Sequence, residues 1–235
     1  MTEIEKILGN IFKLSENQGL IGKQQQPIQR SQQSSLASKR LKDLEYDVPS
    51  RLWNGLKNMD YSGDAGEKYR LITKAIGSGF NVILHGPAGT GKSQLSVAIG
   101  HRAASMGLRT RFVSLQDFKM SIGRMMAQND GSLEEHVERM NVTPFLILDE
   151  IDSFLKIPSS GTTYWQDILF QILNKRYGEQ KDTIMTSNLS KNELNRFLYP
   201  QLRSRIIETG GIIDTSAWKN HRTPDKSPLR LASSF

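Results

Sequence analysis

Eight consecutive residues constrain this chain more than any other feature: Gly86-Pro87-Ala88-Gly89-Thr90-Gly91-Lys92-Ser93 fills the pattern G-x-x-x-x-G-K-[ST]. They follow directly on the apolar run Asn81-Val82-Ile83-Leu84-His85 and are continued by Leu95, Val97 and Ala98. The pattern therefore sits where a strand gives way to a helix. There the glycines let the backbone wrap so that successive N–H groups point at phosphate oxygens, and the helix start adds the positive end of its dipole. Lys92 is expected to reach the β and γ phosphates and Ser93 to place its hydroxyl on Mg²⁺, which makes ATP and Mg²⁺ the expected ligands. A glycine-rich turn that binds nothing is the alternative, and it leaves the Lys-Ser pair without a use.

A phosphate loop does not by itself imply hydrolysis. The run Phe145-Leu146-Ile147-Leu148-Asp149-Glu150 supplies what is missing, because a buried strand delivers Asp149 at its C-terminal end. Asp149 is placed to hold the metal's water shell, and Glu150 to polarise an attacking water. Two acids at a strand end also serve as a turn or a helix cap; paired with Lys92 they read as an ATPase. A third run, Thr183-Ile184-Met185-Thr186-Ser187-Asn188, ends in a polar cluster. If it lies between the other two strands, Asn188 faces the γ phosphate and orients the lytic water. Taken alone, an asparagine at a strand end is usually a turn residue.

Short apolar runs at Asn81 to His85, Arg109 to Leu115, Pro144 to Leu148 and Thr183 to Thr186 alternate with amphipathic segments, the α/β pattern of a parallel sheet covered by helices on both faces. Ahead of them, Ile4, Ile7, Leu8, Ile11 and Phe12 share one helical face, with Thr2 and Glu5 spaced as a capping box, so residues 2–14 read as a short amphipathic helix. The Gln- and Ser-rich stretch from Gln18 to Ser38 reads as a flexible linker. The expected organisation is a docking element and linker over 1–40, a body over 41–222 and a basic tail over 223–235. The 235 residues contain no cysteine, which excludes disulfides, zinc–thiolate clusters and thiol nucleophiles. A formal charge of +7 suits a polyanionic partner without requiring one. No apolar run is long enough for a membrane span, and the acids of MTEIEKILGN do not fit a secretory signal, so a cytoplasmic protein with no membrane partner is expected.

The series resembles the AAA+ ATPases, and within them the branch of DnaC-type replicative helicase loaders and IstB-type transposition helpers. The likeness covers Tyr46 to Arg222. It is closest where Thr186-Ser187-Asn188-Leu189 leads through Glu193-Leu194 to Leu202-Arg203-Ser204-Arg205-Ile206 and then Trp218-Lys219-Asn220-His221-Arg222. The resemblance implies a five-stranded P-loop sheet of order 5-1-4-3-2. It gives Asn188 the sensor 1 role, Arg205 that of an arginine finger and Arg222 the sensor 2 position. Two departures bear on this: the aromatic residue before the sensor 2 arginine is His221, and an arginine expected four positions before the finger is Gln201. Arg203 is a rival for the finger, and a solvated or DNA-binding basic face is the alternative use of both arginines. A finger acts on a neighbour's nucleotide, so self-association into a ring or spiral is expected, with slow hydrolysis in isolated subunits.

By the same resemblance the leading function is an ATP-switched loader that binds a DnaB-type hexameric helicase through its N-terminal element and places it on single-stranded DNA. The alternatives are an IstB-type helper ATPase binding duplex DNA, and a nucleotide-stabilised adaptor without significant turnover. Aromatic and basic residues at Phe154, Lys156, Tyr164 and Trp165, and at Arg109, Arg111, Phe118, Lys119 and Arg124, suit base stacking and phosphate contact; the same residues serve equally as core and helix-face positions.

Overall fold

A computed structural model of the chain describes residues 30–128, 133–155 and 162–221. The expected helix over 2–14, Lys156, Arg222 and the basic tail lie outside the described residues.

Five strands, β1 (Asn81–His85), β2 (Thr110–Ser114), β3 (Phe145–Asp149), β4 (Asp182–Ser187) and β5 (Gly211–Asp214), form one sheet of order β2-β3-β4-β1-β5. Every pairing is parallel. This is the expected order read from the other edge. Successive residues of each central strand feed opposite cores, as a sheet covered on both sides requires. Ile83, Leu146, Leu148 and Met185 face one core. Val82, Leu84, Phe145, Ile147 and Ile184 face the other.

The second core is closed by α1 (Arg30–Asp47), α2 (Ser50–Gly55), α3 (Gly63–Lys74) and α4 (Lys92–Ser105). The first is closed by α5 (Leu115–Gln128), α6 (Leu133–Val142), α7 (Asp152–Leu155), α8 (Thr162–Gly178), α9 (Lys191–Phe197) and α10 (Pro200–Thr209). Gly100 lets α4 approach closely, since a Cβ there would stand 2.5 Å from Ile147 Cδ1.

Helix α1 corrects the expectation of a flexible linker for residues 30–38. Leu41, Leu44 and Val48 fall at helical spacing and pack into the second core, with Leu44 wholly buried. Tertiary burial of that stripe, rather than propensity, makes the segment helical. Gln33, Ser34, Ser35 and Ser38 lie on its solvent side. At its end Asp47 pairs with Arg111 of edge strand β2 at 3.5 Å and accepts the Phe112 N–H.

At the N-terminal edge of the sheet, Arg176 of α8 is completely buried. Its guanidinium donates to the carbonyls of Met140 (2.7 Å), Thr143 (2.6 Å) and Asp182 (2.6 Å) and to Thr183 Oγ1 (2.9 Å). Burial lowers its pKa to about 10. The neighbouring Asp182 carboxyl accepts the N–H groups of Gly77, Gly79 and Phe80, and burial pushes it up to about 6. These bonds satisfy backbone groups where β1, β3 and β4 begin, and so fix the base from which their other ends project.

Candidate nucleotide-binding site

Those other ends surround a cavity of about 480 Å³. It is lined by Ala88, Gly89, Thr90, Gly91, Lys92, Ser93, Asp149, Glu150, Thr186 and Asn188, and also by Leu52, Met59, Asp60, Trp218 and His221. Strands β1 and β4 run in register, His85 beside Ser187, which brings the phosphate loop and the Asn188 turn out at one level.

The loop from Gly86 to Gly91 connects β1 to α4, with Gly89 at φ 91° and Gly91 at φ 89°, a left-handed conformation that glycine adopts without strain. A Cβ at Gly86 would stand 2.6 Å from Thr215 Oγ1. Lys92 Nζ lies back along the loop and donates to the carbonyls of Gly86 (2.8 Å) and Pro87 (2.7 Å). Only 6% of Lys92 is exposed, so its charge is concentrated within the cavity.

Asp149 is buried at the end of β3. Burial raises the pKa of its carboxyl, while the Thr186 and Ser93 hydroxyls and the Lys92 charge pull it down. Thr186 Oγ1 donates to Asp149 Oδ1 at 2.6 Å and accepts the Glu150 N–H at 3.0 Å. Glu150 itself has φ 59°, a conformation that costs a non-glycine residue roughly 1–2 kcal/mol and turns the chain so that this residue lines the cavity. Asn188 is exposed, and its N–H donates to Asp152 Oδ1 at 3.1 Å. The hard-oxygen pair Ser93 and Asp149, bonded to one another in the phosphate loop's mouth, fits a divalent cation that also takes phosphate oxygens and water.

After β5 the segment 215–221 lies across the loop. The Thr215 and Thr90 hydroxyls share a hydrogen bond (2.9 Å), and the His221 N–H donates to the Gly89 carbonyl (2.9 Å). Trp218 Nε1 donates to Asp64 Oδ2 of α3 (2.7 Å), which fixes the indole as a wall of the cavity.

The cavity thus collects Gly89, Thr90, Gly91, Lys92, Ser93, Asp149, Glu150 and Asn188. Arg205 lies elsewhere, on α10, its guanidinium 5.1 Å from the centre of the Tyr177 ring. Arg203 Nη1 donates to Asn195 Oδ1 (3.1 Å). Neither arginine lines the cavity.

Of the stacking candidates, Phe154 is wholly buried and Phe118 nearly so; both are core residues, which corrects that expectation. Arg111 is engaged with Asp47. Lys119, by contrast, sits over the Trp165 ring (5.8 Å), beside a half-exposed Tyr164.

The bridging role of Thr186, the Trp218–Asp64 bond and the Arg205–Tyr177 contact were not legible in the sequence. Thr186 carried one faint signal, as a hydroxyl near the end of an otherwise apolar run.

The model of the IstB-like ATP binding proteins matches residues 29–207. The chain belongs to the IstB-like ATP-binding family. It is similar to the ATP-binding protein of insertion sequence IS21 from Pseudomonas aeruginosa, at 31% identity over 57% of this chain and 49% of that protein. The chain spans about half the length, or less, of the curated relatives it matches. Among solved structures, a replication initiator DnaA bound to AMPPCP and single-stranded DNA superimposes with TM-score 0.55 and 25% identity, over 68% of this chain and 48% of the other. The DnaC helicase loader does so with TM-score 0.57 and 21% identity, over 71% and 99%, a likeness of fold. The IstB-like chain is thus an ATP-binding AAA+ protein, and no helix among its described residues is long and apolar enough to cross a membrane.

Proposed function

We propose that this protein is an ATP-hydrolysing AAA+ switch that loads a DnaB-type hexameric replicative helicase onto single-stranded DNA. The observation that supports turnover is the separation of parts: one cavity collects Lys92, Ser93, Asp149, Glu150 and Asn188, while Arg205 stands outside it.

In this reading the loop amides and Lys92 bind the β and γ phosphates, and Ser93 and Asp149 hold Mg²⁺. Bound there, Mg²⁺ neutralises phosphate charge. Glu150 accepts a proton from the attacking water, and Asn188 orients that water against the γ phosphate. Trp218, Met59 and Leu52 enclose the base. Arg205 belongs to the site of an adjacent subunit, where its charge stabilises the transferring phosphoryl group. Hydrolysis then requires a ring or spiral, as suits a protein acting on a hexamer. Arg222 is assigned to sensor 2 by resemblance alone.

The solved DnaA structure bound to single-stranded DNA supports a replication role. A second reading, a transposition helper binding duplex DNA, is supported by the likeness to the IS21 protein. Phosphate release tests turnover: Glu150→Gln should bind ATP normally yet hydrolyse it roughly 10²–10⁴-fold more slowly. Capture assays test the partner. Retention of a DnaB-type helicase supports the loader, and retention of a transposase in its place overturns it.

A further inference from the structure

Among the described residues Arg205 has no acidic partner. Its guanidinium lies over the face of Tyr177, on α8, with Cζ 5.1 Å from the ring centre, and its Nη1 is buried with no hydrogen-bond acceptor among the described residues. The natural partner is close at hand, because Glu208 stands three residues further along α10, at the spacing of a helical ion pair. That carboxylate is occupied instead: the Tyr177 hydroxyl donates to Glu208 Oε2 at 2.9 Å. This bond is also the first cause of the raised Tyr177 pKa.

One tyrosine therefore does two things. Its ring gives the cation an apolar, polarisable seat that offers the guanidinium no acceptor. Its hydroxyl engages the one carboxylate on the same helix with which Arg205 would pair. An arginine held this way keeps its Nη1 donors unspent, and acceptors such as phosphate oxygens would recruit it readily. The neighbouring Arg176 is buried in the sheet, so the Tyr177 end of α8 is a fixed platform.

We propose that Tyr177 is a positioning residue for Arg205: it keeps the guanidinium from closing onto Glu208 and so poised for the nucleotide of an adjacent subunit. The inference rests on the reading of Arg205 as a finger acting in trans.

The test uses the full-length chain at saturating ATP and a concentration at which subunits assemble, with phosphate release as the readout. Tyr177→Phe keeps the ring but frees Glu208 for Arg205. It should lower kcat about two- to fivefold, the range of an exposed ion pair that must be broken, and leave KM for ATP unchanged. Adding Glu208→Gln removes the competing charge and should restore kcat. In mixtures the defect should follow the subunit that supplies the finger: Tyr177→Phe protein should be impaired as the donor to Arg205→Ala subunits, which keep their nucleotide site, but not as the nucleotide-bearing subunit beside Lys92→Ala donors, whose finger is intact. Loss of kcat that Glu208→Gln fails to restore, or unchanged kcat in Tyr177→Phe while Arg205→Ala is inactive, would overturn the proposal and leave the finger standing. Full activity of Arg205→Ala would overturn both.

Discussion

The Thr186 hydroxyl bridges the two acids of the site, donating to Asp149 Oδ1 at 2.6 Å while accepting the Glu150 N–H at 3.0 Å. A side chain of β4 thus sets the geometry of the end of β3. It fixes which way the Asp149 carboxyl faces and holds Glu150 in its left-handed conformation. Thr186→Val keeps the shape but takes one of two hydroxyl donors from the buried Asp149 carboxyl and removes the acceptor of the Glu150 N–H, at a cost of about 1–3 kcal/mol for the unpaired group. Weaker MgATP binding and slower phosphate release should follow, and Thr186→Ser should recover both.

Asp149 also dictates a pH dependence. Because burial is the main cause of its raised pKa, the carboxyl takes up a proton above the ordinary carboxylate range. MgATP affinity should therefore be present at neutral pH and decline as pH falls through that raised value. For the nucleotide-free protein the sign reverses: a raised acid pKa favours the fold when the group is protonated, and that contribution is lost as pH rises. Asp149→Asn should accordingly raise the neutral-pH melting temperature while abolishing MgATP binding. Calorimetry with and without nucleotide reads both effects.

Arg176 should matter to stability rather than to chemistry. Arg176→Met leaves the carbonyls of Met140, Thr143 and Asp182 without their donor and the Asp182 carboxyl without its nearby cation. A loss of about 3–5 kcal/mol, or roughly 6–20 °C in melting temperature, is expected for such a buried charge group. Thermal unfolding monitored by circular dichroism measures it.

The position of α1 moves the boundary for a truncation test. Since Leu41, Leu44 and Val48 close the second core, removal of residues 1–40 would cut into a structural helix. Removal of residues 1–29 leaves that helix whole. The shortened protein should bind ATP normally and lose capture of a DnaB-type helicase, because the apolar stripe of Ile4, Ile7, Leu8, Ile11 and Phe12 goes with it. Fluorescent-ATP titration and a helicase pull-down on the same preparation check the two halves.

The sheet and the phosphate end of the cavity were legible because each rests on a local pattern: apolar runs at strand spacing, and polar residues at fixed offsets from them. Asp149, Glu150 and Asn188 follow such runs directly. The first half of helix α1 was hidden because residues 30–38 carry only Leu36 and Ala37 among Gln and Ser, while the side chains that pack, Leu41 and Leu44, lie further along the helix. Phe118 and Phe154 misled for the complementary reason: an aromatic residue beside basic ones reads the same whether it faces a core or a ligand. Tyr177 and Glu208, 31 residues apart, meet only through the packing of α8 against α10, which no local pattern encodes.

Steady-state hydrolysis by mixed variants tests the central claim most directly. Lys92→Ala lacks the cation that holds the phosphates but keeps its finger; Arg205→Ala keeps its nucleotide site but lacks the finger. Each alone should be nearly inactive, Arg205→Ala by up to roughly 10³–10⁵-fold. Mixed in equal amounts, they should regain phosphate release, because a shared site then forms between one subunit's Lys92, Asp149 and Glu150 and the other's Arg205. Absence of recovery at every ratio and concentration, with both proteins folded, would contradict the account.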